Sequence, residues 1–261
     1  APFFNLSTEP TVDGRAFADI AQRLLARMPS ASSPSTAAPP AVAASAAEAP
    51  PAPRGFVGRL LAPDLPRLLL QHLALVFGSV VLAVGAGVPL GLWAFRRPRV
   101  AGVVMGAVGM LQTVPSLALL AFLIAALGTI GFVPALVALF LYALLPIVRN
   151  THAGLAAVPP GLVPAALALG LSRGQALRAV ELPLAAPTLM AGVKTAAVIN
   201  VGTATVAAFI GAGGLGERIV SGLAVNDSAQ MLAGALPAAL LALLVQGLFD
   251  RLERRLRRHP G

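Results

Sequence analysis

Residues Gly211-Ala212-Gly213-Gly214-Leu215-Gly216 fit the spacing G-x-G-x-x-G, which lets a backbone approach the pyrophosphate of a dinucleotide. That chemistry also needs a strand before the glycines, a helix after them and an acidic residue about twenty positions further on. Here an uncharged stretch of membrane-spanning length precedes the glycines and Asp227 follows too soon. The segment therefore reads as a flexible turn. No phosphate loop of the form G-x-x-x-x-G-K-S/T and no G-x-S-x-G nucleophile elbow is present. His72, His152 and His259 lie in separate segments and suggest no shared metal site. Pairing Ser116 or Ser221 with His152 as a nucleophile and base would need residues on opposite sides of the topology derived below. Cysteine is absent, which excludes disulfides, thiolate metal sites and a thiol nucleophile. The expectation is a chain without catalytic residues, metal or cofactor.

The remaining polar residues of interest interrupt long apolar stretches. Gly192, Thr195, Asn200, Gly202 and Thr203 fall, at about 100° per residue, within an arc of about 160° on one helix. Small and hydroxyl residues on one face serve either close helix packing or the lining of a pore. Asn200 is the sharper candidate, because an amide in lipid faces a partner or a water-filled path. Lys194 lies outside the arc, near the end of the stretch, and reads as a side chain snorkelling to the interface. Gln112, Thr113, Pro115 and Ser116 put polar groups and a helix breaker at mid-membrane depth, where freed carbonyls need partners or water. A kink at a gate and a kink satisfied by neighbouring helices are both compatible with this. Gln112, Thr113, Pro115, Ser116, Thr195, Asn200 and Thr203 together form the candidate translocation path.

These residues need membrane helices to position them, and the composition supplies such helices. Of 261 residues, 57% are hydrophobic and 11% charged, with a mean hydropathy of +0.83. About a quarter charged is usual in soluble domains. A helix needs about 20 apolar residues to cross the hydrocarbon core, and five such spans are expected, at 68–95, 100–127, 132–148, 189–210 and 229–249. Pro89 suggests a kink near the end of the first, and Gly128-Thr129-Ile130-Gly131 with Pro134 separates the second from the third. Arg96, Arg97, Arg99, Arg149, Arg173, Arg178 and the tail Arg251-Leu252-Glu253-Arg254-Arg255-Leu256-Arg257-Arg258 fall on one side of this topology. The loops between spans on the other side hold only Arg218. By the positive-inside rule the N-terminus lies outside and the C-terminus in the cytoplasm. The formal charge of +9 then falls wholly on the cytoplasmic side, and the outer segments balance. Such a charge reports orientation and contact with anionic lipid rather than a nucleic-acid groove.

Four regions follow. Residues 1–30 hold a short extracellular amphipathic element with Phe17, Ile20, Leu24 and Leu25 on one side, and 31–53 form an Ala/Pro/Ser-rich linker. Residues 54–255 form the membrane domain and 256–261 a basic cytoplasmic tail. The opening residues lack the basic-then-apolar pattern of an intact signal peptide.

The cytoplasmic loop 149–188 is patterned as helix, turn, helix. Ala165 to Leu169 form a small-residue helix, Gly170 supplies its C-cap, and Ser172 with Gln175 makes a capping box for the next helix. Glu181-Leu182-Pro183 is expected to stop that second helix. A compact knob with small faces suits a cleft on another protein.

At these residues the sequence resembles the permease subunits of bacterial binding-protein-dependent ABC importers. Their loop reads E-A-A, three residues, G, nine residues, I, one residue, L-P. Ala165, Ala166, Gly170, Val180, Leu182 and Pro183 occupy those positions at the same spacing, and Pro164 stands where the family has glutamate. The stretches at 112–120, 138–155, 180–196, 210–216 and 222–243 are similar to the osmoprotectant branch, which imports glycine betaine, choline or carnitine. The resemblance covers about residues 65 to 255.

It implies an all-α, five-span MetI-like fold in the bacterial inner membrane, and a subunit that is not an enzyme. A second permease copy or a paralogue would complete the path. Two cytoplasmic ATPase subunits would receive the 164–183 knobs, and an extracellular binding protein would deliver the substrate. Another substrate, such as an amino acid or a sulfonate, and a non-transport intramembrane protein remain as alternatives.

Overall fold

A computed structural model describes residues 55–258. The expected regions 1–30 and 31–53, and the end of the 256–261 tail, lie outside the described residues. All regular structure among the described residues is helical. A short helix α1 (Phe56–Leu60) precedes α2 (Leu65–Arg96), which holds Pro89 inside it and ends at Arg96. Next come α3 (Pro98–Thr113), α4 (Ser116–Leu127) and α5 (Phe132–Ala156). The loop holds α6 (Leu162–Ala168) and α7 (Arg173–Ala176), and α8 (Leu182–Val206), α9 (Gly216–Ala224) and α10 (Ser228–Arg258) complete the chain.

Four helical stretches are long and apolar enough to cross a membrane, 65–96, 132–156, 173–210 and 228–255. The expected span 100–127 is instead two helices, α3 and α4, meeting at 102°. Counted as one broken span, the pair brings the total to five. The break has a local cause. Val114 precedes a proline, which disfavours helical backbone, and it is extended at ψ 125°.

Helix α5 is the central element, packed on α2 along one side and α8 along another. Leu75, Leu139, Val201 and Leu215 are fully buried in the resulting core. The α5–α8 contact is close because Gly192 lacks a side chain. A Cβ there would stand 2.6 Å from Cβ of Asn150 and 2.7 Å from the carbonyl oxygen of Pro146.

Three expectations need correction. Glu181-Leu182-Pro183 does not end a helix: α7 passes through a π-helical turn, Leu177–Glu181, directly into α8. The Leu182 N–H reaches back five residues to the carbonyl of Leu177. This wider turn moves the preceding carbonyls out of α-register and so accommodates Pro183, which has no N–H to give. The glycine segment 211–216 is not a flexible turn. Residues 212 to 216 are buried, and Gly211, Gly213 and Gly214 hold φ of 71°, 85° and 85°, which L side chains rarely adopt. The N–H of Gly214 donates to Oε1 of Gln71 at 3.2 Å, seating the loop on α2. Lys194 does not reach freely for the interface. Its ammonium donates to Asp250 at 2.9 Å and Glu253 at 3.0 Å, joining α8 to α10.

Candidate translocation and coupling site

Two prolines inside membrane helices decide where side chains must donate. Pro146 in α5 has no N–H, so the carbonyl of Tyr142 four residues earlier loses its helical partner. Nε2 of Gln112 donates to that oxygen at 2.9 Å, and the Tyr142 hydroxyl donates to the carbonyl of Val114 at 2.5 Å. The break between α3 and α4 is thus clasped to α5 in both directions. Thr113 donates to its own helix at Met110, and Pro115 and Ser116 start α4. Pro237 in α10 frees the carbonyl of Ala233 in the same way, and Nη1 of Arg218 donates to it at 3.3 Å.

The arc of polar residues on α8 is divided by the packing. Gly192 and Asn200 face the core, whereas Thr195, Ile199 and Gly202 form an exposed stripe with Thr203 at its edge. The hydroxyls of Thr195 and Thr203 donate to the carbonyls of Ala191 and Ile199 on their own helix. Asn200 is 0% exposed. Its Nδ2 donates to Oγ of Ser79 at 2.8 Å and to the carbonyl of Leu139 at 3.0 Å, tying α8 to α2 and α5. One residue further on, the carbonyl of Val201 lies 3.1 Å from Nε2 of the buried His72. Within one chain, Asn200 therefore braces the polar face from behind, and the two threonines present it.

The loop keeps its expected local chemistry. Gly170 stands at φ 90° after α6, with its N–H bonded to Leu167 and the N–H of Leu171 bonded to Ala166, a Schellman cap. Ser172 and Gln175 cap α7 reciprocally. Pro164, Ala165, Leu167 and Leu169 of the knob are exposed, and Ala166 is buried against it. Val180 lies in the π turn, and Leu182 and Pro183 begin α8. Glu181, nearly buried, sits 3.6 Å from the guanidinium of Arg96 at the end of α2.

At the other end of the bundle, three arginines are paired with acids. Arg59 pairs with Asp227, Arg67 with Glu217, and Arg218 with Asp64. Arg218 is 3% exposed; it grips both oxygens of Asp64 and donates to the carbonyls of Leu60, Ala62 and Ala233. The Arg218 hydrogen bonds hold the Asp64 carboxyl below its ordinary value of 3.8, and Arg59 does the same for Asp227.

No cluster of metal-ligating side chains occurs among the described residues. Sequence reasoning missed Tyr142, Ser79, Arg218 and Glu181. Two of them had a readable signal, since Pro146 and Pro237 announce freed carbonyls that must be met. Ser79 and Glu181 had none, because their partners lie in other helices.

Residues 83–258 match the family described as binding-protein-dependent transport system inner membrane component. The chain is 45% identical over 193 residues to the osmoprotectant import permease protein OsmW of Salmonella typhimurium, covering 72% of this chain and 90% of that protein. It is 44% identical over 186 residues to the carnitine transport permease protein OpuCB of Listeria monocytogenes, covering 71% and 85%. Among solved structures, it superposes with TM-score 0.67 on a chain of the MetNI methionine ABC transporter in an inward-facing conformation, at 28% identity, covering 74% of this chain and 95% of that one.

Proposed function

Because the chain belongs to the family of binding-protein-dependent transport system inner membrane components, we propose that it is the permease subunit of an ATP-driven importer of small osmoprotectants such as glycine betaine, choline or carnitine. One observation carries the mechanism. The second helix of the knob, Arg173–Ala176, runs through a π turn into α8, and α8 presents Thr195 and Thr203 on its open face. Displacement of the knob is transmitted to that face along one continuous helical rod.

In this reading Pro164, Ala165, Ala166, Gly170, Val180, Leu182 and Pro183 form the element that docks on a separate cytoplasmic ATPase subunit. Exposed Leu167 and Leu169 supply apolar contact there. The missing family glutamate at Pro164 leaves that docking to shape and apolar area. The path forms along the Thr195 and Thr203 stripe against a second copy or paralogue, with Gln112, Thr113, Pro115 and Ser116 setting the bend beside it. The N-terminal side faces outward, where a binding protein delivers the substrate, and the basic C-terminal end faces the cytoplasm. The permease itself performs no covalent chemistry.

The substrate class follows the permease relatives named for osmoprotectants and carnitine, which are 44–45% identical. The methionine transporter chain is 28% identical. Reconstitution in proteoliposomes with the cognate ATPase and binding protein tests this. ATP-dependent uptake of labelled betaine or carnitine is expected, and deletion of residues 164–183 should abolish it together with ATPase association. Uptake of methionine in place of quaternary ammonium compounds would overturn the substrate assignment, and uptake without any ATPase would overturn the importer.

A further inference from the structure

We infer that the seam between α2 and α10 seats one anionic phospholipid of the cytoplasmic leaflet, its phosphate held by Arg251 and Arg255; the leaflet, though not the site, rests on the orientation proposed above. Helix α10 packs on α1, α8 and α9, whereas α2 packs mainly on α5 and α8. Where α2 and α10 run side by side they leave open grooves. One, of about 350 Å³, lies among Leu65 and Leu69 of α2 and Leu240 and Leu244 of α10. The next, of about 270 Å³, is lined by Phe77 of α2 and by Leu248, Phe249, Arg251, Leu252 and Arg255 of α10.

The second groove joins apolar surface to cationic groups. Leu248, Arg251, Leu252 and Arg255 follow the i, i+3, i+4, i+7 spacing that puts them on one helix face. All four are exposed, and so is Phe77 across from them. The planar guanidinium fork matches the geometry of a phosphate. The acids beside these arginines do not neutralise them, because Asp250 and Glu253 turn to Lys194 of α8. Neither Arg251 nor Arg255 makes an ion pair among the described residues.

The length also fits a lipid. Leu240 and Arg251 are eleven residues apart, about 16 Å along the helix. One leaflet supplies half of a hydrocarbon core about 30 Å thick. An acyl chain that starts beside Arg251 therefore runs past Leu248 and Phe77 and ends in the uncharged groove at Leu240. A soluble acidic segment would meet the arginines and leave that apolar length uncovered. Seated there, the lipid closes the seam between α2 and α10, beside the ion group that ties α10 to α8.

The test places a reporter in the groove of the full chain. Trp93 is the one tryptophan, so Trp93→Phe with Phe77→Trp leaves a single indole at the site. In phosphatidylcholine vesicles, brominated phosphatidylglycerol should quench it with an affinity about fivefold above that of brominated phosphatidylcholine. Arg251→Gln should lower this ratio to about twofold, and Arg251→Gln with Arg255→Gln to about one. Arg254→Gln, which removes a charge outside the groove, should leave it at about fivefold. Equal quenching by the two lipids would overturn the site. An Arg254→Gln effect as large as that of Arg251→Gln would do the same, by showing a general attraction to the basic rim. Loss of the preference on adding soluble oligoglutamate would assign the arginines to an acidic protein partner and overturn the lipid. Native mass spectrometry of the permease with its own Phe77 and Trp93 makes the comparison without the reporter. Retention of phosphatidylglycerol over phosphatidylcholine is expected, reduced in the double arginine variant, and equal retention of the two lipids would again overturn the site.

Discussion

Asn200 on α8 donates to the hydroxyl of Ser79 on α2 across 2.8 Å, at a point where neither side chain is exposed. The Ser79 hydroxyl in turn donates a hydrogen bond to the carbonyl of Val76 at 2.9 Å, so the amide closes a chain of bonds between two membrane helices. Asn200→Ala leaves Ser79 Oγ and the Leu139 carbonyl short of a donor. It should destabilise the permease by about 1 to 3 kcal/mol, the usual cost of orphaning a buried polar group. Thermal unfolding in detergent measures this. Full stability combined with lost uptake would mean that Asn200 acts on the substrate and is not a brace.

The clasp around the broken span makes a second prediction. Gln112→Leu and Tyr142→Phe remove the two bonds that join α3–α4 to α5. The two positions share one network, so their effects should not add, with a coupling of about 0.5 kcal/mol or more in a double-mutant cycle. Strict additivity would show that the bend is held by packing alone.

Acid should open the pair between Arg218 and Asp64. The Asp64 carboxyl is held below its ordinary 3.8 by Arg218, so its stabilising contribution is present above that value and is lost as pH falls through the lowered one. The unfolding midpoint of wild type should exceed that of Asp64→Asn by a constant margin from neutrality down to about pH 4, and the margin should close below. A margin that closes near pH 6 would assign the effect to another group. Arg218→Met, which also strands the carbonyls of Leu60, Ala62 and Ala233, should cost about 3 kcal/mol at neutral pH.

Lys194 lies between two carboxylates, and removing it alone leaves them facing each other. Lys194→Met should destabilise by about 2 kcal/mol. Replacing the whole group as Lys194→Met, Asp250→Leu and Glu253→Leu should recover most of that, since an apolar substitute needs no counter-charge. If the triple variant is the less stable of the two, the ions themselves hold α8 to α10.

The sequence by itself determined what depends on neighbours along the chain. Apolar stretches long enough to cross lipid, Gly170 and the Ser172–Gln175 cap, and the spacing from Ala165 to Pro183 that marks the family are all local patterns. Local composition and chain geometry suffice to specify them. The tertiary structure decided what depends on which helix lies alongside. The polar arc on α8 could not be divided from its own residues, because Asn200 became a brace and Thr195 and Thr203 an open face only once α2 and α5 packed against one side. Lys194 looked like a lone cation until α10 brought Asp250 and Glu253 to it. Pro183 looked like a stop until the π turn carried the helix through it. In each case a polar group or a proline had a demand legible in the sequence, and only the fold could say which neighbour met it.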